Sequence, residues 1–326
     1  MKNKMDFNGA TAIVIGGLGF IGSNLSRKLL EHNAKVVIID AMLKESGSNL
    51  YNINDISDKV KLIKGYAQDK IRDVIGDAGY VFNVAGQTSH PLSMQQPLLD
   101  FKLNVETDLC LLEACRLLNP SAKIVHASTR QIYGSQTILP IKEEASLNPP
   151  DVNAVNKIAA ENYYSLYNKV YGIKAVSLRL TNTFGPGQTM KLPIHGFIPR
   201  LIRELISNGE IKLPPDCDIK RDINFIDDVS MAFIACALSN IDKGAYNLGN
   251  NEIISIKDFA NRLLKANGSG KCIESTEPIK SGINIGSTYL DFGKFNSLTG
   301  WKPQVTLEEG ITRTLKFYKQ NKEKYQ

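Results

Sequence analysis

The stretch Ala12-Ile13-Val14-Ile15-Gly16-Gly17-Leu18-Gly19-Phe20-Ile21-Gly22, continued by Ser23 to Leu30, decides how this chain folds. Its first four residues are apolar and three are β-branched, which reads as a short buried strand. Glycines then recur at Gly-x-x-Gly-x-x-Gly spacing and lead into a helical pattern. Glycine permits the tight turn and lets main-chain N–H groups approach a pyrophosphate, whose charge the helix N-terminus favours. The next apolar run, Lys35 to Ile39, ends at Asp40, 18 residues after Gly22. A carboxylate there can accept hydrogen bonds from both ribose hydroxyls of a dinucleotide and would repel a 2′-phosphate, so the expected cofactor is NAD rather than NADP. The bland alternative is a structural glycine turn, which does not account for Asp40.

Outward from this motif, β-branched runs recur at Val60 to Ile63, Tyr80 to Val84, Lys123 to His126 and Lys174 to Leu180. Nearly continuous apolar strands imply a sheet buried on both faces. Helical patterns lie between them, the longest being Pro97 to Leu118 and Val152 to Tyr171. The alternation predicts an α/β fold, a Rossmann-type doubly wound parallel sheet joined by right-handed crossovers. After Thr181, five prolines up to Pro215 break the chain into short pieces. The expected organisation is a dinucleotide-binding domain over 1–180, with 222–249 returning to it through a helix at Val229 to Leu238 and a strand at Ala245 to Leu248. A smaller C-terminal substrate-binding lobe is expected over 181–221 and 250–326, with helices at Ile256 to Ala266 and at Leu307 to Lys319, the second capped by Thr306.

Composition excludes several classes. Of the 326 residues 43% are apolar and 22% charged, with ordinary glycine and proline usage, so disordered and collagen-like chains are ruled out. The net charge of +6 comes in part from four lysines after Leu315, which read as a solvated helix face, and no nucleic-acid partner is expected. Five cysteines without a C-x-x-C pattern suggest a reducing, cytoplasmic setting and no metal site. No uncharged apolar stretch reaches ~18 residues, so no membrane span is expected.

Further segments resemble the extended short-chain dehydrogenase/reductase family, and within it the nucleotide-sugar epimerases and dehydratases. Those segments are the glycine loop, Val81-Phe82-Asn83-Val84-Ala85-Gly86-Gln87, Asn104-Val105-Glu106-Thr107, Ser128-Thr129-Arg130-Gln131-Ile132-Tyr133-Gly134, Arg179 to Pro186, and Arg221 to Val229. The resemblance implies that Gly16, Gly19, Phe20, Ile21, Gly22 and Asp40, with Asn83, Ala85, Gly86 and Asn104, line the cofactor. It implies that Thr129 bonds the sugar hydroxyl to be oxidised, and that Asn182 and Arg221 hold the sugar-nucleotide diphosphate, a role suited to the planar guanidinium fork. Gln87 and His90 fall in a loop that resembles the family's sugar-facing loop, and His195, in the Pro193 to Pro199 loop, is a further substrate-binding candidate. Where the family carries Gly-Asp to meet the adenine, this chain has Gly65-Tyr66, so Asp69 or a main-chain carbonyl is expected to take that contact.

The largest departure lies at Asn153. The family carries Tyr-x-x-x-Lys, in which a tyrosine lowered towards neutrality takes the hydroxyl proton; here the lysine is Lys157 and the tyrosine is Asn153. An amide cannot accept a proton near neutral pH, and losing a positioned base forfeits about 10²–10⁴ in rate. Three substitutes are open: Lys157 itself, otherwise a ribose-binding residue; His90, whose side-chain type suits acid–base work; and His195. Tyr164, seven residues beyond Lys157, is about 10 Å along the helix and too far to stand in. Family 4,6-dehydratases follow the strand-five threonine with Asp-Glu, and Arg130-Gln131 replaces that pair here. A 4-epimerase acting on a substrate such as UDP-glucose, UDP-galactose or an N-acetylated relative is therefore favoured over a dehydratase. Arg130 is a candidate for holding a substrate phosphate or carboxylate. The alternatives are a dehydratase- or decarboxylase-type reaction using another base, or a protein that binds NAD and a sugar nucleotide with little turnover. The resemblance also implies a homodimer in which Pro97 to Leu118 and Val152 to Tyr171 form a four-helix bundle with their mates.

Overall fold

The computed structural model describes residues 5–43, 46–190, 196–276 and 285–325. Its strands in chain order are β1 (Thr11–Ile15), β2 (Lys35–Asp40), β3 (Val60–Lys64), β4 (Ala78–Asn83), β5 (Lys123–Thr129), β6 (Ala175–Leu180), β7 (Asn182–Phe184), β8 (Glu210–Leu213), β9 (Lys220–Phe225), β10 (Lys243–Leu248), β11 (Ile253–Ser255) and β12 (Lys271–Glu274). The helices are α1 (Phe20–Glu31), α2 (Ala67–Lys70), α3 (His90–Gln95), α4 (Pro97–Phe101), α5 (Thr107–Leu118), α6 (Val152–Tyr171), α7 (Phe197–Asn208), α8 (Ile226–Leu238), α9 (Ile256–Asn267), α10 (Gly293–Thr299) and α11 (Leu307–Tyr325).

Seven strands form one sheet in the order β10-β6-β5-β4-β1-β2-β3, every neighbouring pair parallel, as the buried apolar runs predict. Alternate side chains feed two cores, because successive residues of a strand point to opposite faces. Val14, Phe82 and Val125 pack with Leu25 and Leu29 of α1 and Phe233 of α8. Ile13, Val81 and Ile124 pack with Leu111 of α5 and Ala160 and Tyr164 of α6. Strand order reverses between β2-β1 and β4-β5, which opens a crevice beyond the carboxyl ends of β1 and β4, the place where such sheets bind ligands.

The second layer of structure covers that crevice. β7 and β9 pair in parallel and β11 joins antiparallel, making a three-stranded sheet, while β8 and β12 form a parallel pair. Residues 222–225 lie in this small sheet; α8 then packs against the large one, and β10 is its edge strand. The run expected as one helix from Pro97 to Leu118 is instead α4, a π turn over Lys102–Glu106, and α5. The wider turn carries Asn104, whose amide reaches across to the carbonyl of Gln87.

Asp151 caps α6 through a bond from Ala154 N (2.8 Å), and Gly172 ends it at φ +70°. Thr306 accepts from Glu309 N, the expected cap of α11. That helix runs on past the expected Lys319 to Tyr325, with a break in helical geometry at Asn321. Its last turn returns to the segment after β2: Tyr325 Oη donates to Asn52 Oδ1, Tyr51 Oη to Asn321 Oδ1, and Asn49 Nδ2 to the carbonyl of Lys324. No described helix is long and apolar enough to cross a membrane.

Candidate active site

The crevice is one cavity of about 1300 Å³ that runs from the glycine loop to β9 and α7. A single drug-sized ligand commonly takes ~300–1000 Å³, so this volume suits two molecules side by side. At one end β1 delivers the chain into Gly16 at φ +83°, where a Cβ would stand 2.8 Å from Ala85 Cα. A Cβ on Gly22 would meet the carbonyl oxygen of Gly16 at 2.2 Å, so the turn closes only with glycine at both positions. Gly19 precedes α1 without any side-chain cap. The first intrahelical bond is Ser23 N to Gly19 O. The N–H groups of Phe20, Ile21 and Gly22 are thus the free donors of the helix, and all three residues line the cavity.

Asp40 also lines the cavity, and it accepts from Leu18 N on one oxygen and from Met42 N and Ser48 Oγ on the other. Three of its roughly four acceptor sites are used. One is left for a ribose hydroxyl, and a second opens only if Ser48 gives way. The carboxylate therefore ties the phosphate loop to β2 as well as facing the ligand space. Further along, Gly65, Tyr66 and Gln68 line the wall, whereas Asp69 does not. Gln68 accepts from Thr107 Oγ1, and its Nε2 is buried without a partner. Gln68 rather than Asp69 therefore offers a polar side chain to this part of the cavity.

The centre of the cavity is built where the loop after β4, the end of β5 and the first turns of α6 converge. Ala85, Gly86, Gln87, His90, Thr129, Arg130, Asn153 and Lys157 all line it. Asn153 is buried, and its Nδ2 donates to Gln87 O (2.6 Å) and to Asp100 Oδ2 (3.2 Å). Asn156 holds the other oxygen of Asp100 at 2.8 Å. At Asn153 the chain therefore has an amide that fastens the loop after β4. Thr129 Oγ1 accepts from Gln131 N, which leaves its own hydroxyl proton to donate. Lys157 Nζ donates to Ala127 O at 2.9 Å and lies 3.4 Å from His126 Nε2.

Behind Lys157 is a closed polar cluster. His126 Nδ1 meets Ser177 Oγ, and Asp108 accepts from both Tyr164 Oη and Asn83 Nδ2. Burial pushes Asp108 up to about 6, although Lys157 pulls it down. Burial also holds His126 well below the ordinary histidine range, helped by Lys157, and lowers Lys157 itself against the pull of Asp108, Asp100 and Glu161.

Asn83 and Asn104, expected along the cofactor, do not line the cavity. Asn83 belongs to the Asp108 cluster. Asn104 sits under Gly86, where a Cβ would come 2.4 Å from its Oδ1, and supports the Gln87 carbonyl. Both lie one layer behind the wall because their short side chains end at main chain and helix α5. Tyr164 is likewise core, its hydroxyl consumed by Asp108.

At the far end Asn182 and Arg221 line the cavity with Arg130. Arg130 Nη2 donates to Asn182 Oδ1 (2.8 Å), and its Nη1 is buried with no partner. Arg221 donates to the carbonyls of Lys220 and Gly286. Burial, and then the charge of Arg130, lower Arg221 to about 9. Two neighbouring guanidiniums with unused donor capacity make this end a site for anionic oxygens. His195 lies outside the described residues.

The residues least visible in the sequence are those that hold others. Asp151 packs its Oδ2 2.9 Å from His90 Nδ1 and accepts weakly from Gln131 Nε2. Its position after Pro149-Pro150 and before an apolar helix is a cap signature that could have found it. Asp100, Asp108 and His126 carry no local signal, since their partners come from distant segments.

Comparison with known proteins agrees with this geometry. The description "NAD dependent epimerase/dehydratase family" matches residues 12–249, well over half of the chain. A putative UDP-glucose 4-epimerase of Methanocaldococcus jannaschii is 29% identical over 313 residues, covering 95% of this chain and 98% of that protein. A UDP-glucose 4-epimerase of Mycolicibacterium smegmatis is 28% identical, covering 94% and 98%. Among solved structures, a UDP-N-acetylglucosamine 4-epimerase from Methanobrevibacter ruminantium, in complex with UDP-N-acetylmuramic acid, superposes with a TM-score of 0.90 at 25% identity, covering 97% and 100%. A UDP-glucuronic acid 4-epimerase from Bacillus cereus, bound to UDP-glucuronic acid and NAD, superposes with a TM-score of 0.84 at 25% identity, covering 95% and 99%. Because the match extends over most of its length, this chain belongs to the NAD-dependent epimerase/dehydratase family, and its cofactor is NAD.

Proposed function

We propose that the protein is a nucleotide-sugar 4-epimerase. The observation that carries this reading is the single cavity, which joins the donors of α1 and Asp40 at one end to Thr129, Asn182, Arg130 and Arg221 at the other. Bound NAD supplies a hydride acceptor and, once reduced, a hydride donor. Phe20, Ile21 and Gly22 hold its pyrophosphate, Asp40 and Lys157 its riboses. Thr129 donates its free hydroxyl proton to the sugar oxygen that is oxidised. Asn182 and Arg221 hold the diphosphate, so the sugar lies between them and the loop after β4. Arg130 and Gln131 occupy the positions where elimination of water would need carboxylates, which favours epimerisation over dehydration. The unpartnered Nη1 of Arg130 favours a substrate with an extra anionic oxygen near the sugar. UDP-glucose, its N-acetylated relatives and the corresponding sugar acids are the substrates to try.

A second reading, a sugar-nucleotide and NAD binder without turnover, is favoured by one observation: Asn153 is committed as a donor. Incubating the protein with NAD and a panel of uridine and thymidine diphosphate sugars, followed by NMR of the sugar ring, separates the two. The epimerase reading expects gluco and galacto forms to interconvert, with a deuterium placed at C4 retained. A 4-keto-6-deoxy product, or no change across the panel, refutes it.

The expected homodimer is part of the same proposal. Leu98, Phe101, Leu117, Leu166 and Val170 are exposed on α4, α5 and α6, and a symmetric bundle of these helices would cover them.

A further inference from the structure

We propose that His90, held by Asp151, is the catalytic residue that takes and returns the sugar hydroxyl proton in place of the absent tyrosine. This rests on the epimerase reading. His90 opens α3 on the wall of the cavity that Gln87, Thr129 and Asn153 also line. Its side chain is about one third exposed, 29%, whereas that of Asp151 is wholly buried. Asp151 Oδ2 lies 2.9 Å from Nδ1, off the line of a straight hydrogen bond but at ion-pair distance. A buried carboxylate facing Nδ1 favours the tautomer with the proton on that nitrogen. Nε2 is left as the basic nitrogen.

The same helix start explains Asn153. Its amide and that of Asn104 both donate to the carbonyl of Gln87. The Gln87 side chain in turn bonds the main chain of Ser89 at both N and O, and Ser89 Oγ caps α3 through Leu92 N. The chain of contacts therefore runs from Asn153 through Gln87 and Ser89 to His90, and closes on Asp151, two residues before Asn153. Asn153 is a positioning residue for the loop that presents the imidazole. Lys157 is less suited to be the base, because its amine already donates to Ala127 O and faces His126.

In the step, the sugar O–H bond breaks and its proton goes to Nε2 of His90. The electron pair left on oxygen forms the C=O bond, and the hydride on that carbon leaves to oxidised NAD. On return the hydride comes back to the opposite face of the carbon, the carbonyl pair moves to oxygen, and Nε2 gives the proton back. Charge and electrons balance without a further reactant.

Three variants test this. His90→Gln is expected to lower kcat by about 10²–10⁴ while NAD affinity and sugar-nucleotide KM stay within about threefold. Imidazole added to His90→Ala is expected to restore at least about tenfold of the lost rate. Asp151→Asn keeps a side chain that caps α6 equally well, so it separates capping from orientation. In nitrogen-15 NMR of the ligand-free protein, the neutral His90 ring is expected to carry its proton on Nδ1, and Asp151→Asn to shift it towards Nε2. His90→Gln within about tenfold of wild-type kcat, or the same tautomer in both proteins, overturns the assignment. An active wild type with an unimpaired His90→Gln defeats this assignment alone, whereas a wild type that interconverts no sugar defeats the epimerase reading and this assignment with it.

Discussion

Replacing Asn153 by aspartate changes one NH₂ into an oxygen and almost nothing else in shape. In the folded protein that NH₂ donates to Gln87 O at 2.6 Å and to Asp100 Oδ2 at 3.2 Å. Both contacts become acceptor facing acceptor. A buried acceptor left unmet costs about 1–3 kcal/mol, and Gln87 O keeps Asn104 while Asp100 keeps Asn156 on its other oxygen. At low pH the protonated carboxyl keeps one of the two bonds, so the loss there is about 1–3 kcal/mol. A proton on the introduced carboxyl restores one donor, so its folded pKa lies above the unfolded value of ~3.9. The folded state then binds more protons than the unfolded one, and stability falls as pH rises through that window. If the neighbouring carboxylate raises it by about two units, a further loss of about 2–3 kcal/mol accumulates between roughly pH 4 and pH 7. Urea unfolding of wild type, Asn153→Asp and Asn153→Ala across this range measures both parts. The alanine variant carries the constant loss without the pH dependence. An aspartate variant whose stability parallels wild type at every pH would refute the picture of Asn153 as a buried donor to these two groups.

Other outcomes follow from the same geometry. Gly22→Ala drives a Cβ into the main chain of Gly16 and Gly17, so calorimetry should show weaker NAD binding together with about 1–3 kcal/mol of lost stability. Gly19→Ala, whose Cβ meets only Gly16 O at 3.2 Å, should keep most of the stability and still weaken NAD binding by obstructing the cradle. Burial raises Asp108 from the ordinary carboxylate range to about 6, so the folded state gains a proton and wild-type stability falls as pH rises from about 4 to 6. Asp108→Asn should remove about 3 kcal/mol of that slope, read as the difference between the two denaturation profiles. Cys115 and Cys236 are buried with thiols pushed up to about 12, so a thiol reagent near pH 8 should count at most three of the five cysteines until the protein is unfolded.

The sheet and the phosphate loop were legible because each depends on short-range pattern. Apolar runs such as Ile13 to Ile15 declare a two-sided buried strand, and three spaced glycines with a later Asp40 declare the turn and a carboxylate at the cavity wall. The interruption at Lys102–Glu106 was not legible, since those five residues hold neither glycine nor proline to mark it. Nor were the supporting residues. Asp100 meets Asn153 and Asn156 more than 50 positions away, and Asn83 reads as a cofactor contact until its amide is found turned to Asp108. A motif gives the wall of a cavity, whereas the layer behind it is set by which distant side chains the fold happens to bring within reach. The substitution at Asn153 was plain in the sequence, but its use as an anchor for Gln87 required the structure.

The closing turn of α11 works as a buckle. Through Tyr325, Lys324 and Asn321 it fastens to Asn52, Asn49 and Tyr51, and the carbonyl of Tyr325 receives Met190 N from the segment whose Gly187 carbonyl Asn52 also bonds. Swinging the two halves apart as rigid jaws would undo all of these ties at once. Separation of the carboxyl-terminal helix from the segment after β2 would have to break them together.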